Sequence, residues 1–141
     1  MVYFNHFKDW LCFCDAWNMK TIFILEDETG IRDALQLLLS FEDYDVRSFS
    51  TVEAFRNRDQ SVVPDIFILD VMMPDGSGIE VCNELKAQPE TANTPVMIMS
   101  AHAKDHEVTS RCNADEFVSK PFDIDAVLLK IENLLVTTGS N

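Results

Sequence analysis

Carboxylates, a hydroxyl and an amine stand at the ends of apolar runs in this chain. Asp70 follows Ile66-Phe67-Ile68-Leu69 and precedes Val71-Met72-Met73-Pro74-Asp75-Gly76. Glu26-Asp27-Glu28 follows Ile22-Phe23-Ile24-Leu25. Ser100 closes Val96-Met97-Ile98-Met99, and Lys120-Pro121 comes just after Glu116-Phe117-Val118-Ser119. If these runs are strands of one sheet, the polar residues share the edge where open α/β sheets bind ligands. Carboxylates gathered there raise one another's pKa unless a cation neutralises them. A hard divalent ion with oxygen ligands, Mg²⁺ first, suits such a set. The Asp70 carboxylate can also attack phosphorus and form an aspartyl phosphate, and a metal on the same oxygens offsets the developing charge. Ser100 can donate to a phosphoryl oxygen, and Lys120 can pair with its charge. Pro121 favours an extended geometry at Lys120. The plainer reading of each acid is a helix N-cap or first-turn residue facing solvent. That reading is preferred for Glu28, but not for Asp27 and Asp70 together.

The intervening segments read as the elements that position these groups. Strands are expected at Thr21–Leu25, Asp45–Phe49, Asp65–Leu69, Pro95–Met99 and Glu116–Val118. Helices are expected over Thr29–Ser40, from Ser50 or Thr51 onward, from Ser77 onward, over Lys104–Cys112, and from an Asp123 cap onward. The tail Thr137–Asn141 is polar and is expected to fray. Alternating strands and helices imply a parallel sheet covered on both faces, and the unbroken apolar strands fit burial on both sides. Right-handed crossovers then bring Glu26, Asp27, Asp70, Ser100 and Lys120 to one edge.

At 141 residues, 47% hydrophobic and 25% charged, the chain has the makings of one globular domain. The net charge of −13 argues against direct nucleic-acid binding and against anionic lipid. No run approaches the roughly 18 apolar residues of a membrane span. Cys12 and Cys14 form C-x-C rather than a zinc or redox spacing, while Cys82 and Cys112 fall in helical patterns as small apolar residues. Nothing suggests secretion, so no disulfide framework is expected.

Residues 1–18 differ from the rest. They are aromatic-rich, do not form a good signal peptide, and precede Met19, itself a natural start. They read either as a leader or as a docking helix, with 19–141 as the main domain. Phe7, Trp10, Leu11, Cys14 and Trp17 recur at helical spacing and define one apolar face. Such a face needs a partner: the domain itself, a second copy, or another protein.

Together, ILEDE (25–29), LDVMMPDGSG (69–78), MIMSAHA (97–103) and ADEFVSKPF (114–122), in this order, resemble the receiver domain of bacterial two-component response regulators. The resemblance covers about residues 19–136. It implies a flavodoxin-like, doubly wound α/β fold with strand order 2-1-3-4-5 and five helices on both faces. It also implies that Asp70 is the phosphoacceptor and that Asp27, with Glu26 beside it, holds Mg²⁺ together with Asp70 and the Met72 carbonyl. Ser100 would be the switch hydroxyl, Lys120 the phosphoryl contact, and Phe117 the switch aromatic. The chain departs from the family in four places. Glu26 stands where many members have Asp, Phe117 where Tyr occurs, Asn113 where Gly is usual, and the Ser100–Phe117 interval is short.

The resemblance implies a cytoplasmic, stand-alone receiver that is not itself an enzyme beyond its own phosphorylation and dephosphorylation. A sensor histidine kinase or phosphotransfer protein would supply the phosphoryl group. A downstream protein would read the face made by the fourth helix, fifth strand and fifth helix, with a homodimer through that face as an alternative. Because the chain ends soon after the last helix, no DNA-binding output domain is expected. Two rivals belong to other classes. An aspartyl phosphatase usually has a second acid two residues past the nucleophile, where this chain has Met72. A phosphorylation-independent interaction module would not need Asp27, Asp70, Ser100 and Lys120 all intact.

Overall fold

The polar ends of the apolar runs do converge, because the runs form one parallel sheet. A computed structural model of the protein describes residues 19–101 and 111–139. Its elements are β1 (Thr21–Leu25), α1 (Thr29–Phe41), β2 (Asp45–Phe49), α2 (Val52–Arg56), β3 (Ile66–Asp70), β4 (Met72–Met73), β5 (Gly76–Ser77), α3 (Gly78–Ala87), β6 (Val96–Ser100), β7 (Glu116–Ser119) and α4 (Ile124–Gly139). The five-stranded sheet has the order β2-β1-β3-β6-β7, and its strand pairs are parallel. With the small β4–β5 hairpin left out of the numbering, this is the expected 2-1-3-4-5.

Strand periodicity sorts the core into two layers. In β1 and β3 the two IFIL runs lie in register, Ile22 against Ile66 through Leu25 against Leu69. Alternate side chains point to opposite faces. Phe23, Leu25, Phe67 and Leu69 pack with Val52 and Phe55 of α2 and with Ile79, Cys82 and Leu85 of α3. Ile22, Ile24, Ile66 and Ile68 pack with Leu35 and Leu39 of α1 and Val127 and Ile131 of α4. Hence both faces of the sheet are apolar and both are covered.

Under α2 the packing closes on itself. Phe23 meets Phe49 and Phe67 edge-on, and Phe55 meets the same two rings, so four phenylalanines form a closed circuit with centroids 5.4 to 6.0 Å apart. Arg58 lays its guanidinium over Phe55 at 4.2 Å, a cation–π contact that lets a charged group cover the aromatic layer.

The local caps follow the sequence closely. Thr51 accepts from the Ala54 N–H at 3.0 Å, Ser77 from Ile79 at 3.1 Å, and Asp123 from Asp125 at 3.2 Å. Four details differ from expectation. Four helices, not five, occur among the described residues, because most of the helix expected over Lys104–Cys112 falls outside them. Cys112 sits in a buried turn rather than a helix. Helix α4 runs on to Gly139, through residues expected to fray, because its apolar face stays packed on the sheet as far as Leu135. The segment from Asp70 to Gly78 contains the β4–β5 hairpin, too short to show in the apolar pattern. Residues 1–18, with Cys12 and Cys14, lie outside the described residues. Among the described residues no helix is long and apolar enough to cross a membrane.

Candidate functional site

The site lies where the strand order reverses, between the ends of β1 and β3. Glu26 is the first residue past β1, and Asp70 ends β3. Ser100 ends β6, and Lys120 follows β7, its N–H donating to the Ser100 carbonyl at 2.7 Å. Parallel registers place these termini side by side.

Lys120 ties the acids together. Its Nζ donates to Oε1 of Glu26 at 2.6 Å and to Oδ2 of Asp70 at 3.1 Å. Both carboxylates are buried, Glu26 completely. The Glu28 N–H donates to the second Glu26 oxygen at 3.2 Å, and the Met72 N–H to Asp70 Oδ1 at 3.3 Å. Burial pushes the Glu26 carboxyl up to about 7; the Lys120 hydrogen bond opposes this and Asp70 reinforces it. For Lys120, burial pulls the ammonium pKa downward, but its bonds to Glu26 and Asp70 outweigh that and raise it. Two buried acids thus share one cation, with Asp27 close by, an arrangement that leaves negative charge in excess.

That excess suits a metal. Oxygens of Glu26, Asp27 and Asp70 all lie within 4.8 Å of one another. Asp27 is exposed and the other two are buried. An all-oxygen set with one open side fits a hard cation that keeps some of its water.

The sequence-predicted residues divide into two groups. Glu26, Asp70 and Lys120 touch, Asp27 joins the acidic group, and the Met72 backbone borders Asp70. Ser100 is buried at the neighbouring strand end. Phe117 lies opposite Ile98 in the β6–β7 ladder, partly buried against the layer that holds Ile98 and Cys112. Glu28 is exposed, as expected, but its side chain caps nothing.

Three supporting residues were not foreseen. Arg32 donates to the carbonyls of Glu26 at 2.9 Å and Asp27 at 3.1 Å, fixing the acidic loop from helix α1. Its position one turn into the helix after the acids was the available signal. Asp75 accepts from Val52 and Glu53 at 2.9 and 3.0 Å, so the loop after Asp70 caps helix α2. Those backbone bonds hold its carboxyl below the usual range. Gly78 lies against the strand end itself: a methyl there would stand 2.2 Å from the Asp70 carbonyl oxygen.

The comparisons with known proteins agree with this geometry. The family model "Response regulator receiver domain" matches residues 22–132. The transcriptional regulatory protein CreB of Escherichia coli is 34% identical over 118 residues, which cover 82% of this chain and 51% of CreB. The phosphate regulon transcriptional regulatory protein PhoB of Rhizobium meliloti is 31% identical over 119 residues, 83% of this chain and 52% of PhoB. This chain therefore spans about half the length of the curated relatives it matches. The crystal structure of the response regulator TrrA of Thermotoga maritima, in complex with Mg(2+)-BeF, superposes with a TM-score of 0.74 at 29% identity. That match covers 83% of this chain and all of TrrA. With its doubly wound sheet and the acids gathered at its switch point, this chain belongs to the response regulator receiver domain family.

Proposed function

We propose that this receiver accepts a phosphoryl group on Asp70 from a histidine kinase or phosphotransfer protein. The single observation that carries the reading is Asp70 at a strand end, buried yet bonded to Lys120 inside an acidic group. Glu26, Asp27, Asp70 and the Met72 carbonyl would hold Mg²⁺. When bound, the ion offsets the negative charge shared by the carboxylates and the incoming phosphoryl group.

An Asp70 oxygen attacks phosphorus as the phosphorus–nitrogen bond to the donor histidine breaks. The imidazole leaves with its electron pair, takes up a proton, and an acyl phosphate forms on Asp70. Lys120, already 3.1 Å from Asp70, pairs with a phosphoryl oxygen. Hydrolysis later restores the carboxylate. Ser100 turns its hydroxyl toward the phosphoryl group, and Phe117 answers on β7. This is a population shift whose driving force is differential contact with the added group.

The altered surface includes β7 and α4, which correspond to the fifth strand and fifth helix of the expected numbering. A downstream protein, or a second copy of the chain, reads it. The net charge of −13 supports a protein partner over nucleic acid. Stand-alone action and a cytoplasmic location belong to the same proposal.

Incubation with acetyl phosphate and Mg²⁺ should add one phosphoryl mass, and Asp70→Asn should abolish the addition. An unchanged wild-type mass with Mg²⁺ present would overturn the reading.

A further inference from the structure

Helix α1 carries two apolar stripes, and among the described residues only one is buried in the core. Ile31, Leu35 and Leu39 join the core. Ala34, Leu37, Leu38 and Phe41 recur at i, i+3, i+4 and i+7 and stay exposed, Leu37 by 59% and Phe41 by 74%. Gln36, on another side of the helix, is bound by Ser48 of β2. The second stripe therefore looks away from β2, and Ala34 shares a groove with Pro121 and Phe122.

The polypeptide enters the domain beside the far end of this stripe. The Lys20 carbonyl accepts from the Asp45 N–H at 2.9 Å, and Asp45 follows Phe41 through the short turn Glu42–Tyr44. Met19, next outward, is itself exposed. The residues before it carry a matching pattern in Phe7, Trp10, Leu11, Cys14 and Trp17.

We propose that residues 1–18 fold back along α1 as an amphipathic helix and cover Ala34, Leu37, Leu38 and Phe41. The lengths are compatible: as a helix, Phe7–Trp17 spans about 15 Å against about 10 Å for Ala34–Phe41. The short connection at Asn18–Lys20 favours this occupant over a second copy, because a tethered segment acts at an effective concentration on the order of millimolar. The inference does not depend on phosphorylation.

The chain offers its own probe. It has two tryptophans, Trp10 and Trp17, so indole fluorescence reports on the segment alone. In the full chain, emission should be blue-shifted and shielded from acrylamide, independent of protein concentration. Leu37→Glu with Phe41→Glu should shift emission to the red and expose both indoles, with far-ultraviolet circular dichroism retaining the receiver signal. Leu11→Glu, on the segment side, should do the same. Each lost leucine contact should lower the docked-to-undocked ratio by about 30-fold. Indoles fully exposed in the unaltered chain would overturn the proposal, as would shielding that survives Leu37→Glu with Phe41→Glu. Shielding that disappears on dilution, together with a dimer by light scattering, would assign the stripe to a second copy instead.

Discussion

The ammonium of Lys120 lies 2.6 Å from Oε1 of Glu26, closer than its 3.1 Å to Asp70. The lysine after β7 therefore supports the acid after β1 as well as the aspartate between them. Glu26 is fully buried, and a buried carboxylate without a cation is costly. The long arm of Glu26 ends on this lysine.

Removing that cation should expose the cost. Lys120→Met is expected to destabilise the metal-free protein by about 3 kcal/mol at pH 8. The loss should shrink near pH 5.5, where Glu26 can take a proton instead, and Mg²⁺ should restore part of it. Urea denaturation with EDTA and with Mg²⁺ measures both effects. Equal stability of wild type and variant in EDTA at pH 8 would contradict the buried pair.

Glu26 also sets a pH dependence. Its carboxyl rises from 4.5 to about 7 on folding, so between those values the native state holds a proton that the unfolded chain has released. Stability of the metal-free protein should fall as pH rises through that window. Glu26→Gln should flatten this slope in denaturation curves collected in EDTA. A slope unchanged by the substitution would assign it to other groups.

Two glycines should respond oppositely to alanine. At Gly78 the new methyl meets the Asp70 carbonyl at 2.2 Å, and this is backbone that cannot swing aside. Gly78→Ala is expected to cost about 1–3 kcal/mol and to slow labelling by acetyl phosphate. At Gly30 an added methyl would meet nothing within 4 Å beyond the adjoining backbone of its own helix, so Gly30→Ala should stabilise by about 0.5 kcal/mol through helix propensity. Chemical denaturation compares the pair directly, and a harmless Gly78→Ala would refute the close approach.

The phenylalanine circuit should behave as one packing unit. Phe55→Ala removes a ring that touches both Phe49 and Phe67 and takes away the surface under Arg58. A loss of about 3–5 kcal/mol is expected. Its effect should be non-additive with Phe23→Ala, since both rings contact the same two neighbours. Simple additivity in a double-mutant cycle would mean that the rings pack independently.

The amino-acid sequence by itself determined the layers and the identity of the polar edge, while the strand order was implied by the resemblance of its motifs to the receiver family. The apolar runs could be read because a strand buried on both faces has little room for polar residues, and parallel crossovers have one hand. Thus Glu26, Asp27, Asp70, Ser100 and Lys120 could be assigned to one edge without coordinates. What only the tertiary structure decided is who holds whom. Lys120 finds Glu26 across 94 residues of chain. Asp75 caps a helix that precedes it, Arg32 reaches back to two carbonyls, and Gly78 presses on the Asp70 backbone. Local periodicity reports which face of an element is buried. It does not report which distant partner a side chain meets, because that depends on register between strands and on the path of loops with no apolar pattern of their own.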